Sequence, residues 1–558
     1  MDSIFQYTGI RPARSLQRNN GSLRILLGAI ELHAKNNPNK VMLAAEGTRI
    51  TYEECFERIG RLSAALEGIG LKRGERLALV LQNQHEFIES YLACMFMGVI
   101  PVVIGERALG EDIAGILTST KPKVLVVGRS RCSFVKDACR RAGLKEGAFW
   151  GVVTGNQQVD GFIAYERLLS RYTPCKDPLT QGGAVPLFYT AGTTGAPKGV
   201  YRTSWNEGLV SFVLSSLVEF GFHSQERHLV LCPLYHSAPF FFSMLTLAIG
   251  GTLTLLPRFE PALFLELLRR ERITSAYVHP NMLTGLLYLP EKLKRAYKDL
   301  PDLRILICAG APLFPETKKG IINWLGDKLS EFYGSTEAGI NIYMPPGEMR
   351  RHITACGRPF PGNELKLLDE NGNECPPGVT GSLFIKNPWM ADAYYKDEEA
   401  TRKTFKDGFA RLGDLMVKDQ EGYHTFIEHE SNVVSLPKGD VYPYEIERVL
   451  RLHPGVLDTA VFGVPGLKQT QRVVAFVVLK PGVAVSEEGL LTFLGGRLDR
   501  FKVPEEVAFV REVPRSPEGK ALKNKMRQSL LNADTGLKEP ALCRPSVNPL
   551  SWSGDGLG

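Results

Sequence analysis

The stretch LFYTAGTTGAPKGVYRT, Leu187 to Thr203, decides how this chain reads. A short apolar run over 185–189 predicts a strand, and that strand empties into glycines and threonines in the manner of a loop that grips phosphate. Gly192, Gly195 and Gly199 let the backbone turn tightly and bring its N–H groups close to an anion. Thr190, Thr193 and Thr194 add hydroxyl donors, and Lys198 adds a mobile positive charge. The ligand such a loop suits is a polyphosphate. It is not a Walker A loop, which needs Gly-Lys-Ser/Thr after a glycine and four residues, because Lys198 follows Pro197 and precedes Gly199. A flexible surface loop rich in Thr and Gly is the plainer alternative.

At 558 residues the chain is too long for one core, and domains of about 100–200 residues predict at least two. Hydrophobic residues at 44% and charged residues at 23% are globular proportions, which exclude a disordered or fibrous class and predict a soluble protein. The net charge of +7 is small for this length and comes without a dense Lys/Arg run interleaved with aromatics. Nucleic acid is therefore not an expected partner, whereas anionic cofactors are welcome. Ten cysteines lie scattered without a C-x-x-C pair or a Cys/His spacing, so neither a zinc site nor a redox motif is supported. Reduced thiols in a cytoplasmic compartment fit that pattern. The first residues, MDSIFQYTGIRPARS, lack a cationic segment followed by an apolar core, and no secretory signal is expected. Residues 238–256 imitate a bilayer-crossing helix in length and apolarity, but Gly250-Gly251 breaks them and TLTLLP alternates like a strand. A buried helix, a turn and a core strand are expected there, and no membrane span.

Outward from the loop, helices and strands alternate. Helices are predicted at 22–32, 52–68 and 86–97, the second because Phe56, Ile59, Leu62 and Leu66 repeat at spacings of three and four. Strands are predicted at 41–45, 77–81, 99–104 and 123–127, and after the loop at 229–231, 252–256, 276–279 and 303–308, with a helix at 262–270. Such alternation marks a mostly parallel α/β sheet, and no fixed period indicates repeats. From Gly357, short segments with Pro/Gly turns (GRPFPG, NGNECPPG, GSLFIKN) predict a small β subdomain. A polar crossing at Glu428 to Asn432 then precedes a new α/β pattern. The expected architecture is α/β: a large N-terminal domain over 1–427 with mostly parallel sheets and the β subdomain, a hinge at 428–432, and a small α+β C-terminal domain over 433–531. A disordered tail is expected over 532–558, which is rich in Pro, Gly and Ser.

A second signal stands in EFYGSTEAG, Glu331 to Gly339. Together, YTAGTTGAPKG and Tyr333-Gly334-Ser335-Thr336-Glu337 resemble the signature strings of the adenylate-forming enzymes: acyl- and aryl-CoA ligases, peptide-synthetase adenylation domains and firefly luciferase. The resemblance spans roughly residues 25 to 530. It implies that Tyr333 stacks on adenine, Thr336 bonds the α-phosphate, and Glu337 holds a magnesium ion bridging phosphate oxygens. The chemistry agrees, since magnesium takes carboxylate and phosphate oxygens and a flat ring suits a purine. CAGAP, Cys308 to Pro312, resembles the turn along the adenine and makes Gly310 and Ala311 candidates for backbone contact. Arg411-Leu412-Gly413-Asp414 resembles R-T-G-D, whose aspartate accepts from both ribose hydroxyls. Pro514-Arg515-Ser516-Pro517-Glu518-Gly519-Lys520, preceded by Phe501-Lys502-Val503-Pro504, resembles the string that carries the catalytic lysine. An ammonium at Lys520 would offset the repulsion between a carboxylate and the phosphate it attacks. Pro233-Leu234-Tyr235-His236-Ser237 resembles the segment beside the acyl pocket, where His236 would lie against substrate; a core histidine with a local partner is the alternative. Phe240, Phe241 and Phe242 suit a large apolar acid or, equally, core packing.

Departures cluster late in the chain. His429 stands where an arginine usually bonds ribose, Asn432 at the hinge residue, Pro437-Lys438 where a glycine pair normally shapes a hairpin, and Ala191 where the loop has serine. The resemblance therefore implies an enzyme that makes an acyl-adenylate from ATP, with Mg2+, and passes the acyl group from a small-molecule carboxylic acid to coenzyme A. An acyl carrier protein as acceptor, an enzyme of one half-reaction, and a nucleotide-binding pseudoenzyme remain open.

Overall fold

The helix at Tyr52–Gly68 begins on Thr51, whose hydroxyl accepts from the Glu54 N–H at 3.2 Å while the Glu54 carboxylate accepts from the Thr51 N–H at 2.8 Å. This reciprocal cap satisfies two backbone donors that a helix start leaves over, and it explains why the helix starts where the periodicity does. The computed structural model describes residues 21–45, 47–145, 147–175, 185–190, 197–202, 207–466, 471–516 and 519–534. By its contacts the chain divides into two compact units. The first takes the chain to Ala309 with Gly320–Leu365 and Phe384–Arg411; the second takes Gly310–Lys319, Lys366–Leu383 and the chain from Leu412 onward.

The first unit is built on two large sheets. One has nine strands, in the order Arg358–Pro359, Gly339–Met344, Leu329–Ser335, Ile305–Cys308, Ser275–Val278, Arg227–Val230, Thr252–Leu255, Val41–Ala45, Thr48–Thr51. The other has eight, in the order Ala393–Tyr394, Lys198–Tyr201, Leu187–Thr190, Ile100–Val103, Arg76–Val80, Val124–Val127, Trp150–Val153, Ile163–Ala164. Interior pairs are parallel and the antiparallel pairs lie toward the ends, as expected where helices cross over between strands. Between the sheets lies one core. Leu43, Leu253 and Leu255 of the first share it with Leu77, Leu79, Val103 and Val126 of the second. The helix His85–Met97 runs through this core buried from Glu86 to Met97, which is what a helix without a polar face must do.

The apolar stretch near 238–256 resolves as expected. A helix at Ser237–Ala248 is followed by Gly250 at φ 78° and the strand Thr252–Leu255. Twelve residues rise only about 18 Å against the roughly 30 Å of a bilayer core. Among the described residues no helix is long and apolar enough to cross a membrane.

The β-rich stretch after Gly357 forms the expected small sheet: Glu364–Leu368, Gly381–Lys386, Phe409–Lys418 and Phe405–Lys406 in order, with His424–His429 also pairing Phe409–Lys418. Within the second unit, Val456–Pro465, Gln471–Leu479 and Glu506–Phe509 make a three-stranded sheet. Strand alternation splits it cleanly. Val461, Val473, Ala475 and Val477 pack with Ile446, Leu450, Leu490 and Leu494 of the helices Pro443–Leu450 and Glu487–Gly495, while Phe462, Val474 and Phe476 pack with Met526 and Leu530 of Lys523–Asp534. That last helix takes in residues 532–534, and the remainder of the expected tail lies outside the described residues.

Candidate active site

Leu187–Thr190 and Lys198–Tyr201 pair antiparallel, with Thr190 opposite Lys198 and Tyr189 opposite Gly199. The two strands that flank the phosphate-loop sequence are thus neighbours in one sheet. Gly192, Thr193, Thr194 and Gly195 lie outside the described residues. Gly199 serves packing: a Cβ there would sit 3.0 Å from the Tyr189 ring.

Tyr333 and Gly334 mark a bulge where the register between Leu329–Ser335 and Gly339–Met344 shifts. A Cβ on Gly334 would lie 2.2 Å from the Gly339 carbonyl oxygen, so only glycine fits. The turn that follows is pinned by residues the sequence reading did not single out. The Ala338 carbonyl accepts from Asn341 Nδ2 at 2.9 Å, Asn387 Nδ2 at 2.9 Å and Trp389 Nε1 at 3.0 Å. Arg202 Nη2 donates to the Thr336 carbonyl at 2.7 Å, and its Nε donates to the Trp389 carbonyl at 3.2 Å. Backbone carbonyls aimed at a guanidinium fix the peptide planes from which Thr336 and Glu337 project.

Those two side chains meet the other candidates. Thr336 Oγ1 lies 3.0 Å from Ser237 Oγ, next to His236, which sits at the N-cap of the helix Ser237–Ala248 with its ring centroid 4.4 Å from that of Tyr235. The Glu337 carboxylate is buried, and its Oε1 accepts from the Tyr394 hydroxyl at 2.8 Å. Lys198 Nζ stands 5.3 Å from the centroid of the same tyrosine ring. Burial first, and then the neighbouring Glu337 charge, push the Tyr394 phenol above its ordinary range, so it stays protonated and donates at neutral pH. Tyr394 thereby fixes the rotation of the carboxylate. Among the described residues one oxygen takes this hydrogen bond, and a single carboxylate with substrate phosphates is a donor set that magnesium accepts. Tyr394→Phe should raise the Mg2+ concentration needed for half-maximal rate by about ten-fold, the worth of one hydrogen bond to a charged group. An unchanged Mg2+ titration would take Tyr394 out of this role.

Another titratable group of the first unit is structural. His85, Glu86 and Glu166 approach within 4.8 Å, and the imidazole of His85, 4.0 Å away, together with hydrogen bonds from Arg58, Nη2 at 2.6 Å, hold the Glu166 carboxyl at about 2. The three phenylalanines divide as well. Phe240 and Phe242 are buried, the first against Tyr91 at 4.3 Å and the second against Phe220 at 5.0 Å, so both belong to the core. Phe241 is only half-buried and stacks on Phe212 at 4.7 Å, which stacks in turn on Trp389 at 4.8 Å.

The second unit carries the remaining candidates. Gly310 takes φ 92°, a left-handed conformation that suits glycine, and presents Ala311 next in the turn. Asp414 is the ladder partner of His429. Gly413, at φ 84°, leaves room for the His429 ring, which a Cβ there would approach to 3.3 Å. Sheet pairing thus brings together the two residues expected at ribose. Ser431 closes on His429 Nδ1, with its Oγ at 2.8 Å and its N–H at 3.3 Å.

Pro437 and Lys438 form the two-residue turn between Val434–Leu436 and Gly439–Val441. Gly439 follows at φ 131°, and Leu436 pairs with it, so the hairpin forms without a glycine pair at 437–438. Lys520 is exposed on a turn in which the Ser516 N–H donates to the Lys520 carbonyl at 2.8 Å. Arg515 anchors that turn by donating to the Gly519 carbonyl at 2.8 Å and to both oxygens of Asp458 at 2.7 and 2.9 Å.

A phosphate-loop strand pair beside a buried carboxylate, on an α/β body followed by a small α+β unit, defines an adenylate-forming enzyme. The chain belongs to the AMP-binding enzyme family: its model matches residues 30–395, and that of the AMP-binding enzyme C-terminal domain matches residues 445–520. In class it is an AMP-forming acid–thiol ligase. It is 30% identical to the indoleacetate–CoA ligase of Aromatoleum aromaticum, over 89% of this chain and 97% of that protein. It is 28% identical to the fatty acid–[acyl-carrier-protein] ligase ScoC of Streptomyces coeruleorubidus, over 90% and 96%. The ATP-bound crystal structure of MatB from Rhodopseudomonas palustris superposes with a TM-score of 0.81 at 27% identity, covering 92% of this chain and all of that one.

Proposed function

We propose that the protein condenses a bulky apolar or aryl carboxylic acid with ATP and passes the acyl group to coenzyme A. The observation that carries this is the buried Glu337 carboxylate, held by the Tyr394 hydroxyl, whose ring Lys198 of the phosphate-loop strand pair also approaches. A carboxylate oxygen of the acid bonds to the α-phosphorus while the bond to the bridging oxygen of the β-phosphate breaks, and pyrophosphate leaves. The thiol sulfur then bonds to the acyl carbon, the carbon–oxygen bond to phosphate breaks, AMP leaves, and the thiol proton passes to solvent.

Thr190, Lys198 and the loop residues Gly192, Thr193, Thr194 and Gly195 hold the outer phosphates, and Thr336 holds the α-phosphate. Tyr333, with Gly334, Gly310 and Ala311, receives the adenine, and Asp414 and His429 receive the ribose. Glu337 would hold magnesium, which when bound neutralises phosphate charge. Lys520 is the proposed catalytic residue, its ammonium offsetting the repulsion between carboxylate and phosphate, and His236 is the proposed contact to the acid. Phe241, half-buried and stacked on the buried Phe212, presents an apolar ring five residues from His236 and supports the choice of acid class.

Pyrophosphate exchange into ATP with a panel of acids tests the first step. No exchange with any acid would leave a nucleotide-binding pseudoenzyme. Product mass with coenzyme A or a phosphopantetheinylated carrier protein then identifies the acceptor; likeness to ScoC keeps the carrier in the comparison.

A further inference from the structure

Glu428 is where the crossing from the small sheet to the helix Pro443–Leu450 closes back on itself. Its buried carboxylate, 2% exposed, collects donors from both sides of Asn432. Oε1 accepts from the His429 N–H at 2.9 Å and from Asn432 Nδ2 at 3.0 Å, and Oε2 accepts from the Tyr444 N–H at 2.8 Å. Lys523 Nζ lies 4.0 Å from Oε2 and 3.0 Å from Glu447 Oε1, which itself accepts from the Val461 N–H at 2.8 Å. One carboxylate on the near side of the crossing is thereby tied to residue 432 and to two helices beyond it.

A turn of the chain about Asn432 would draw Tyr444 and Lys523 away from Glu428 while leaving the bond to the His429 N–H in place. Stripping partners from a buried charge is strongly unfavourable, so the carboxylate biases the crossing toward the arrangement seen here. Resting on the two-step ligase reading above, we propose that Glu428 is a clasp: a positioning residue whose hold on Asn432 and Tyr444 sets the balance between adenylation and acyl transfer.

An amide has one acceptor oxygen where a carboxylate has two, so Glu428→Gln keeps the size and opens one side of the clasp. In the full chain, single-turnover adenylation and transfer to coenzyme A from pre-formed acyl-adenylate are measured separately for wild type, Glu428→Gln and Asn432→Ala. Asn432→Ala removes a single donor and serves if the Gln variant folds poorly. The two rates should move in opposite directions, shifting their ratio by about ten-fold in Glu428→Gln and by less, in the same sense, in Asn432→Ala. Rates that stay put or fall together would overturn the clasp, because a merely structural role lowers both. Amide hydrogen exchange at Tyr444 is read alongside and should quicken in Glu428→Gln. Unchanged exchange sinks the clasp even in an active enzyme. Absence of adenylation in wild type overturns the ligase reading, and with it the balance the clasp is proposed to set, whereas unmoved rates or exchange in the variants of an active enzyme overturn the clasp alone.

Discussion

Lys520→Ala is expected to lower the rate of acyl-adenylate formation by about 100-fold or more while ATP binds nearly as before. The side chain is exposed on a turn whose other members are held: Arg515 grips Asp458 and the Gly519 carbonyl, and Ser516 bonds Lys520 through the backbone. Truncation to Ala leaves those bonds intact, so the loss is chemical and not conformational. An ammonium between two anions acts most strongly where their charges come closest, in the transition state, and little on the ground-state nucleotide. Single-turnover adenylation and equilibrium ATP binding, measured on the same preparations, check both halves. Comparable losses in affinity and rate would reassign Lys520 to nucleotide binding.

Gly334→Ala should be nearly as damaging for a different reason. The added methyl would lie 2.2 Å from the Gly339 oxygen and 3.1 Å from its carbon, both backbone atoms that no rotamer change can move. The bulge must open, and Thr336 and Glu337 shift with it. A displacement of about 1 Å in groups that position reactants costs on the order of 100-fold in rate. Gly285→Ala is the control, since a Cβ there meets nothing within 4 Å in the helix Pro280–Leu287. It should leave pyrophosphate exchange unchanged and raise thermal stability slightly. Exchange by Gly334→Ala within a few-fold of wild type would show that the bulge tolerates a side chain and that the Tyr-Gly-Ser-Thr-Glu geometry is not set there.

What could be read from the chain and what could not divides along a physical line. The helix Tyr52–Gly68 was legible to the residue because its apolar period and its Thr51–Glu54 cap are both local. Partnerships across long separations were not. Arg202 reaches carbonyls 134 and 187 residues away, and Tyr394 reaches a carboxylate 57 residues away. Neither falls in a periodic pattern; the available hint at Arg202 was a cation ending a buried strand. The three adjacent phenylalanines looked alike in sequence, yet a helix turns successive side chains by about 100°, which sent two into the core and left one at its margin. Glu428 was marked only as part of a polar crossing, because burial of a carboxylate shows only once its donors are in place.

The ladder pairing of Asp414 with His429 has a consequence for the order of events in catalysis. Two neighbouring strands joined by hydrogen bonds travel as one piece, so any pivot in the crossing must lie on the C-terminal side of His429. Whichever way the chain swings beyond that point, the two proposed ribose contacts keep their spacing. On the proposed assignment, the grip on the AMP portion would then be independent of such a swing, and an adenylate made in the first step would stay moored through the second. If Asp414 and His429 hold the ribose as proposed, an intermediate that hydrolyses in water would be retained by the same two strands that bound the nucleotide.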